Sequence, residues 1–186
     1  MRYLFGLLAL LSFCLSASEF THGENLISGF APGHPDYEKY QLYAKSDSKI
    51  RSNLWVSKKQ GKVDTFKIDI VLGDRSTDLD KLQHSLNTPG EASCTTFNSK
   101  NISSNTENGY PQLTWETTCN KDGKSIYIIH KAISGKDSMY LARKFWYQEA
   151  APDAVTTWKT TISKLGVCDT RKERHPCPEG YKLAEP

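Results

Sequence analysis

Apolar and polar side chains alternate over residues 65–72 (TFKIDIVL), with Phe66, Ile68, Ile70 and Leu72 on one side and Lys67 and Asp69 on the other. A period of two marks a half-buried strand. Weaker alternation over 40–45 and the run Asn53 to Ser57 (NLWVS) predict two strands before it, the second joined through a turn at Lys59-Gln60-Gly61-Lys62. The period then changes. Leu79, Leu82 and Leu86 recur at helical spacing, Ser76 or Thr77 can cap, and Asp78 and Asp80 suit the positive end of a helix dipole. Pro89-Gly90 is expected to stop this helix. Strand patterning returns over 93–98, 112–119, 125–133 and 138–147. The links Asn108-Gly109-Tyr110-Pro111, Asn120-Lys121-Asp122-Gly123 and Ser134-Gly135-Lys136-Asp137 are rich in turn formers. Links this short join antiparallel neighbours, because a parallel pair needs a long crossover. Residues 152–165 read as a second helix, with Val155, Trp158, Ile162 and Leu165 on one stripe, Pro152 in the first turn and Gly166 just past the last.

This order predicts an α+β fold, a curved antiparallel sheet of about six or seven strands packed by two helices. The expected domain spans 37–166. Residues 19–36, rich in Gly and Pro, read as an N-terminal arm, and 167–186 as a polar tail. Residues 1–18 have the layout of a signal peptide: Met1-Arg2, an apolar run from Tyr3 to Leu15, then Ser16, Ala17 and Ser18. Cleavage is expected after Ala17 or Ser18. Cys14 is not expected to carry lipid, because the bulky Phe13 stands where a small residue belongs. The expected address is periplasmic or extracellular. After the leader, no stretch approaches the roughly 20 apolar residues of a membrane-spanning helix.

Five cysteines become four when the leader, with Cys14, is removed: Cys94, Cys119, Cys168 and Cys177. An even set in an exported chain implies disulfides. Of the possible connectivities, the local one is expected, Cys94–Cys119 and Cys168–Cys177, because each pair brackets a turn-containing segment.

The pattern Asn108-Gly109-Tyr110-Pro111, Trp115, Cys119, Lys131-Ala132-Ile133-x-Gly135-x-Asp137-x-x-Tyr140, Cys168-Asp169-Thr170-Arg171 and His175-x-Cys177-Pro178 resembles a family of uncharacterised exported proteins of Gram-negative bacteria. Phe66 stands where that family would have Trp. The order of elements also resembles the PsbP-like fold. These resemblances imply compartment, disulfides and fold, and they carry no functional residue across.

Charge and motif content narrow the function. Lys and Arg total 24 against 21 Asp and Glu, a formal charge of +3. That is too little for a protein that binds polyanions, so no nucleic-acid partner is expected. The chain lacks Gly-x-Ser-x-Gly, Cys-x-x-Cys, His-Glu-x-x-His and a glycine-rich phosphate loop, so no catalytic residue and no cofactor is assigned. Cys168, His175 and Cys177 could ligate zinc, but their spacing is wider than a zinc knuckle and export favours the disulfide, so no metal is expected. His130 shares a strand face with Ile126 and Ile128 and reads as a core-edge histidine with a hydrogen-bond partner. In 138–147 both faces carry bulk: Met139, Leu141, Phe145 and Tyr147 on one, Tyr140, Ala142 and Trp146 on the other. Such a strand is covered on both sides, or offers one side to a ligand. The candidate binding surface is therefore Tyr140 and Trp146, with the basic tip Arg171, Lys172 and Arg174. The expected function is a non-enzymatic recognition module for a protein, envelope or host component, with type II secretion and virulence among its expected associations. The alternatives are a small secreted hydrolase with a non-local catalytic set, and a carrier of apolar ligands.

Overall fold

Alternating β-branched and aromatic residues build most of this chain into one antiparallel sheet. The computed structural model describes residues 22–31, 34–59, 64–74, 77–171 and 173–178. The expected leader with Cys14, the Gln60-Gly61-Lys62 part of the first turn, the alternative cap Ser76, Lys172 and the last eight residues of the tail lie outside them. The elements are β1 (Glu24–Ile27), β2 (Tyr40–Ser46), β3 (Ile50–Ser57), β4 (Asp64–Leu72), α1 (Leu79–Ser93), β5 (Thr96–Glu107), β6 (Tyr110–Lys121), β7 (Lys124–Ser134), β8 (Ser138–Trp146), α2 (Pro152–Ser163) and β9 (Gly166–Asp169). The sheet has seven strands in the order β2-β3-β4-β8-β7-β6-β5, and β1 and β9 form a separate antiparallel pair. This is the expected α+β architecture.

Two tight hairpins set the register of β5 to β7. Asn108 and Gly109 have φ of 50° and 77°, and Asp122 and Gly123 have φ of 50° and 72°. Positive φ at both central residues is the signature of turns that match the twist of a hairpin. The links are thus shorter than expected: Tyr110-Pro111 and Asn120-Lys121 belong to strands.

Each face of the sheet has its own core. On one, α2 and the β1–β9 pair cover Phe66, Ile129, Ile133, Tyr140 and Trp146, with Phe30 at the centre of a ring cluster that includes Trp55 and Trp158. On the other, Leu79, Leu82 and Leu86 of α1 close over Leu113, Trp115, Ala132, Met139 and Leu141. β8 therefore serves both cores.

Several local expectations change, among them the polar tail, which begins within β9. The helix α1 runs through Pro89, and its N-cap is Asp78, whose side chain accepts from the Lys81 amide at 3.1 Å. Gly90 is a notch rather than a stop, because a Cβ there would meet the Phe97 ring at 2.5 Å. The turn beyond it is held by the Cys94 amide bonding to the Gly90 carbonyl and by the Cys94–Cys119 disulfide. Cys94 is thus the helix C-cap and not a strand residue. β5 continues to Glu107 through a polar stretch, and the expected arm contains β1, with Leu26, Ile27 and Phe30 buried.

The disulfides pair as expected, Cys94–Cys119 and Cys168–Cys177, at sequence separations of 25 and 9. Chain-entropy reasoning gives the longer loop about 3–4 kcal/mol and the shorter about 2–3 kcal/mol. Double alanine variants of each pair, measured by urea denaturation, are expected to lose stability in that order. A reversed order would contradict it.

Candidate functional site

Many of the residues that carry the sequence pattern converge on one corner of the fold, whereas Trp115 and Ala132 lie in the core under α1 and Cys119 is bonded to Cys94. The Asn108 amide donates to the carbonyls of Val167 and Pro176 at 3.0 and 3.4 Å. The His175 Nδ1 sits 2.6 Å from the Asn108 carbonyl and donates to it, and the His175 ring leans on Tyr110. Gly109 is required here, since a Cβ would overlap the His175 ring. Glu24 accepts from the amides of Lys136, Asp137 and Ser138 at 2.7, 3.3 and 3.3 Å, and from the Tyr140 hydroxyl at 2.9 Å. Gly135 leaves the space that this carboxylate fills. Arg171 bridges Asp169, at 2.7 Å, and Asp137. The pattern is a clasp that fastens the tail and β1 to the β7–β8 turn.

That geometry corrects the expected binding surface. Tyr140 and Trp146 are 4% and 5% exposed, because β8 is covered on both faces. Burial and the neighbouring Glu24 push the Tyr140 phenol far above its ordinary value. Of the basic tip, Arg171 is held by two carboxylates and Arg174 is exposed. Cys168 and Cys177 are bonded to each other, so neither offers a thiolate to zinc.

An open surface lies elsewhere. The helix α1 packs on β5, β6 and β7, leaving the same face of β2, β3 and β4 without a helix. One register row crosses the whole face: Trp115, His130, Arg143, Lys67, Leu54 and Tyr43. At its inner end Trp115 stacks on His130 with centroids 4.5 Å apart. In the middle, Asp69 receives Arg143 and Lys67 at 2.8 Å each and the Ser52 hydroxyl at 2.5 Å. Burial alone would raise the Asp69 carboxyl, but these three partners together hold it below its ordinary value. At the outer end Tyr43 and Ile50 are 52% and 40% exposed. They border a cleft of about 330 Å³ together with Lys45, Ser52, Leu54 and Lys67.

The cleft adjoins a free sheet edge. β2 pairs only with β3, in unbroken register, and has neither proline nor bulge. The opposite edge, β5, is polar along most of its length and carries a register shift between Asn101 and Ser103. Bulges and charges protect edges from pairing. One edge of this sheet is interrupted by a register shift and the other runs unbroken.

Three buried basic groups remain. His130 is 3% exposed, and its Nε2 lies 3.0 Å from the Thr117 hydroxyl. Burial, reinforced by Arg143, lowers its pKa to about 3, so the ring is neutral at physiological pH. A hydroxyl–imidazole relay needs a carboxylate to orient the ring, but His130 faces a guanidinium in its register row and its Nδ1 has no partner. Lys144 is fully buried. Its ammonium lies 4.7, 5.1 and 4.4 Å from the ring centres of Tyr40, Trp146 and Trp158, bonds to the Tyr40 hydroxyl at 2.8 Å and pairs with Asp64. Burial lowers its pKa to about 8 against the pull of Asp64. Lys131 donates to the carbonyls of Ser163 and Leu165, where α2 ends, at 3.1 and 2.5 Å. Sequence reading passed over both lysines, although each sits between apolar residues of one strand face, Ile129 and Ile133 for Lys131, Ala142 and Trp146 for Lys144.

Among the described residues, no group of three or more His, Cys, Asp or Glu side chains is arranged to hold a metal ion. In comparisons with known proteins, the chain matches no protein-family model and no curated protein.

Proposed function

We propose that this protein is an exported recognition module that binds a protein partner by accepting an extended segment along β2. The asymmetry of the sheet edges carries this reading. A strand that adds to an edge gains main-chain hydrogen bonds, and pockets for its alternate side chains give specificity. The cleft beside Tyr43, Ile50 and Leu54 is placed to take one such side chain. Lys45 and Lys67 line it; the lining carboxylate, Asp47, accepts from the amides of Lys49 and Ile50, and Lys45 makes no ion pair among the described residues. The favoured segment is therefore acidic with apolar residues at alternate positions. Export is supported by the two disulfides, which persist in oxidising compartments, and by the leader-like layout of residues 1–18. No helix among the described residues is long and apolar enough to cross a membrane.

A random-peptide display selection on the folded protein tests the reading. Enriched peptides are expected to alternate acidic and apolar residues and to bind Leu54→Asp at least tenfold more weakly, by fluorescence anisotropy. N-methylation of alternate peptide amides should abolish binding in one register and spare it in the other. Peptides indifferent to both changes would sink the proposal. A second reading, a carrier of apolar ligands, rests on a cleft of about 460 Å³ between the first turn of α2 and β6–β7, where Tyr127, Ala150, Pro152 and Val155 meet. Displacement of a hydrophobic dye by fatty acids, lost in Val155→Asp, would favour that reading.

A further inference from the structure

A second, smaller cavity of about 130 Å³ lies between the C-terminal half of α2 and strands β5, β6 and β7, on the face opposite the β2 cleft. Two buried donors line it with hydrogens left over. Lys131 is 3% exposed, and its ammonium has three N–H groups. The carbonyls of Ser163 and Leu165 take two of them, and no other acceptor among the described residues takes the third. Gln112, also 3% exposed, has no partner for its Nε2 among the described residues. Buried donors without acceptors are rare in folded proteins and call for an explanation such as a bound molecule.

Charge selects among the candidates. A buried cation without a counter-ion is strongly unfavourable. Lys131 has no carboxylate within ion-pairing distance among the described residues and feels only the more distant field of Glu107. The other lysine at the cavity, Lys159, is already paired with Glu116 at 2.7 Å. The cavity therefore offers the Lys131 ammonium, with the lining carboxylate of Glu107 beyond ion-pairing distance of it, one amide donor and the apolar side chain of Ile129. A water occupies about 30 Å³, so this space takes about four to six heavy atoms.

We propose that the cavity binds a short-chain carboxylate, one oxygen accepting from the Lys131 ammonium and the other from the Gln112 amide, with the alkyl group against Ile129. The ligand supplies the close counter-charge that Glu107, farther off, does not. Burial lowers the Lys131 pKa to about 8, with Glu107 opposing. Binding is therefore expected to weaken as pH rises through that value and the cation is lost. The other titratable groups facing Lys131 are Glu107 from β5, Glu116 from β6, Lys159 from α2 and Tyr140 from β8.

Saturation-transfer NMR with acetate and butyrate on the full folded chain tests this. Saturable binding is expected at pH 6.5, at least tenfold weaker at pH 9.5, and at least tenfold weaker in Gln112→Leu and in Lys131→Met. Lys159→Gln is expected to retain both the binding and its pH dependence. If Lys131→Met does not fold, Gln112→Leu and the pH series carry the test. The proposal fails if no saturable signal appears, which would mean water alone fills the cavity. It fails equally if chloride displaces the carboxylates at equal concentration, or if Gln112→Leu binds as the parent does.

Discussion

Asp64→Ala is expected to destabilise the fold by about 3 kcal/mol, and Lys144→Met to leave it unchanged or more stable. The asymmetry follows from where the charges lie. Lys144 has no exposed surface, and Asp64 is its only carboxylate partner among the described residues, whereas the Asp64 side chain keeps 24% of its surface. Removing Asp64 strands a cation inside the ring cluster of Tyr40, Trp146 and Trp158, and it also removes the acceptor of the Tyr40 hydroxyl, bonded at 2.6 Å. Breaking a buried pair costs about 3–5 kcal/mol, and the partial exposure of Asp64 places this case at the lower end. Removing Lys144 leaves a carboxylate that water can reach and a methionine of similar length among aromatic rings, which suits sulfur. Urea denaturation of the two variants decides the matter. An Asp64→Ala variant within 1 kcal/mol of the parent would show that the rings alone hold the ammonium.

Acidification between pH 6.5 and 4 is expected to remove stability through His130, at up to about 1.4 kcal/mol per pH unit. In the folded chain the ring stays neutral down to about pH 3, held there by burial and by Arg143. In the unfolded chain it takes up a proton near pH 6.5. The unfolded state therefore binds more protons across this window, so the stabilisation is complete above pH 6.5 and drains away as pH falls. Asp69 and Glu116, whose carboxyls lie below their ordinary values, add to the loss from about pH 5 downward. His34 is lowered by burial as well and works in the same direction. The measurement is a series of urea midpoints from pH 7 to 4.5 for the parent, His130→Gln and His34→Gln. The His130→Gln series should be the flattest, and a slope equal to the parent's would refute the assignment.

The elements that the sequence announced are those with one buried face. Phe66 and Ile68 in β4, and Leu79, Leu82 and Leu86 in α1, are written at the right period because only one side of each element meets a core. The polar half of β5 meets none, so nothing in residues 99–107 distinguishes a strand from a loop. β1 hid in a segment dominated by glycine and proline. Pro89 misled because α1 continues through it to Ser93. The same limit governs the site. Bulk on both faces of β8 was legible, but whether Tyr140 and Trp146 lay covered depended on the placement of α2 and the β1–β9 pair. The exposure of β2 depends on the spatial order of strands, which no local pattern records.

The β1–β9 pair also has a consequence for the timing of folding. Gly23 and Thr170, which hydrogen-bond just beyond its end, are 147 positions apart. β1 has no strand partner among the described residues until β9 exists, and contacts of such separation form late. Phe30 and Leu26, next to it, belong to the main core and wait on the same event. A chain made N-terminus first thus stays unlocked at β1 until β9 has followed. The β9 segment, with Arg171 and the Cys168–Cys177 bond, closes the fold once it is available.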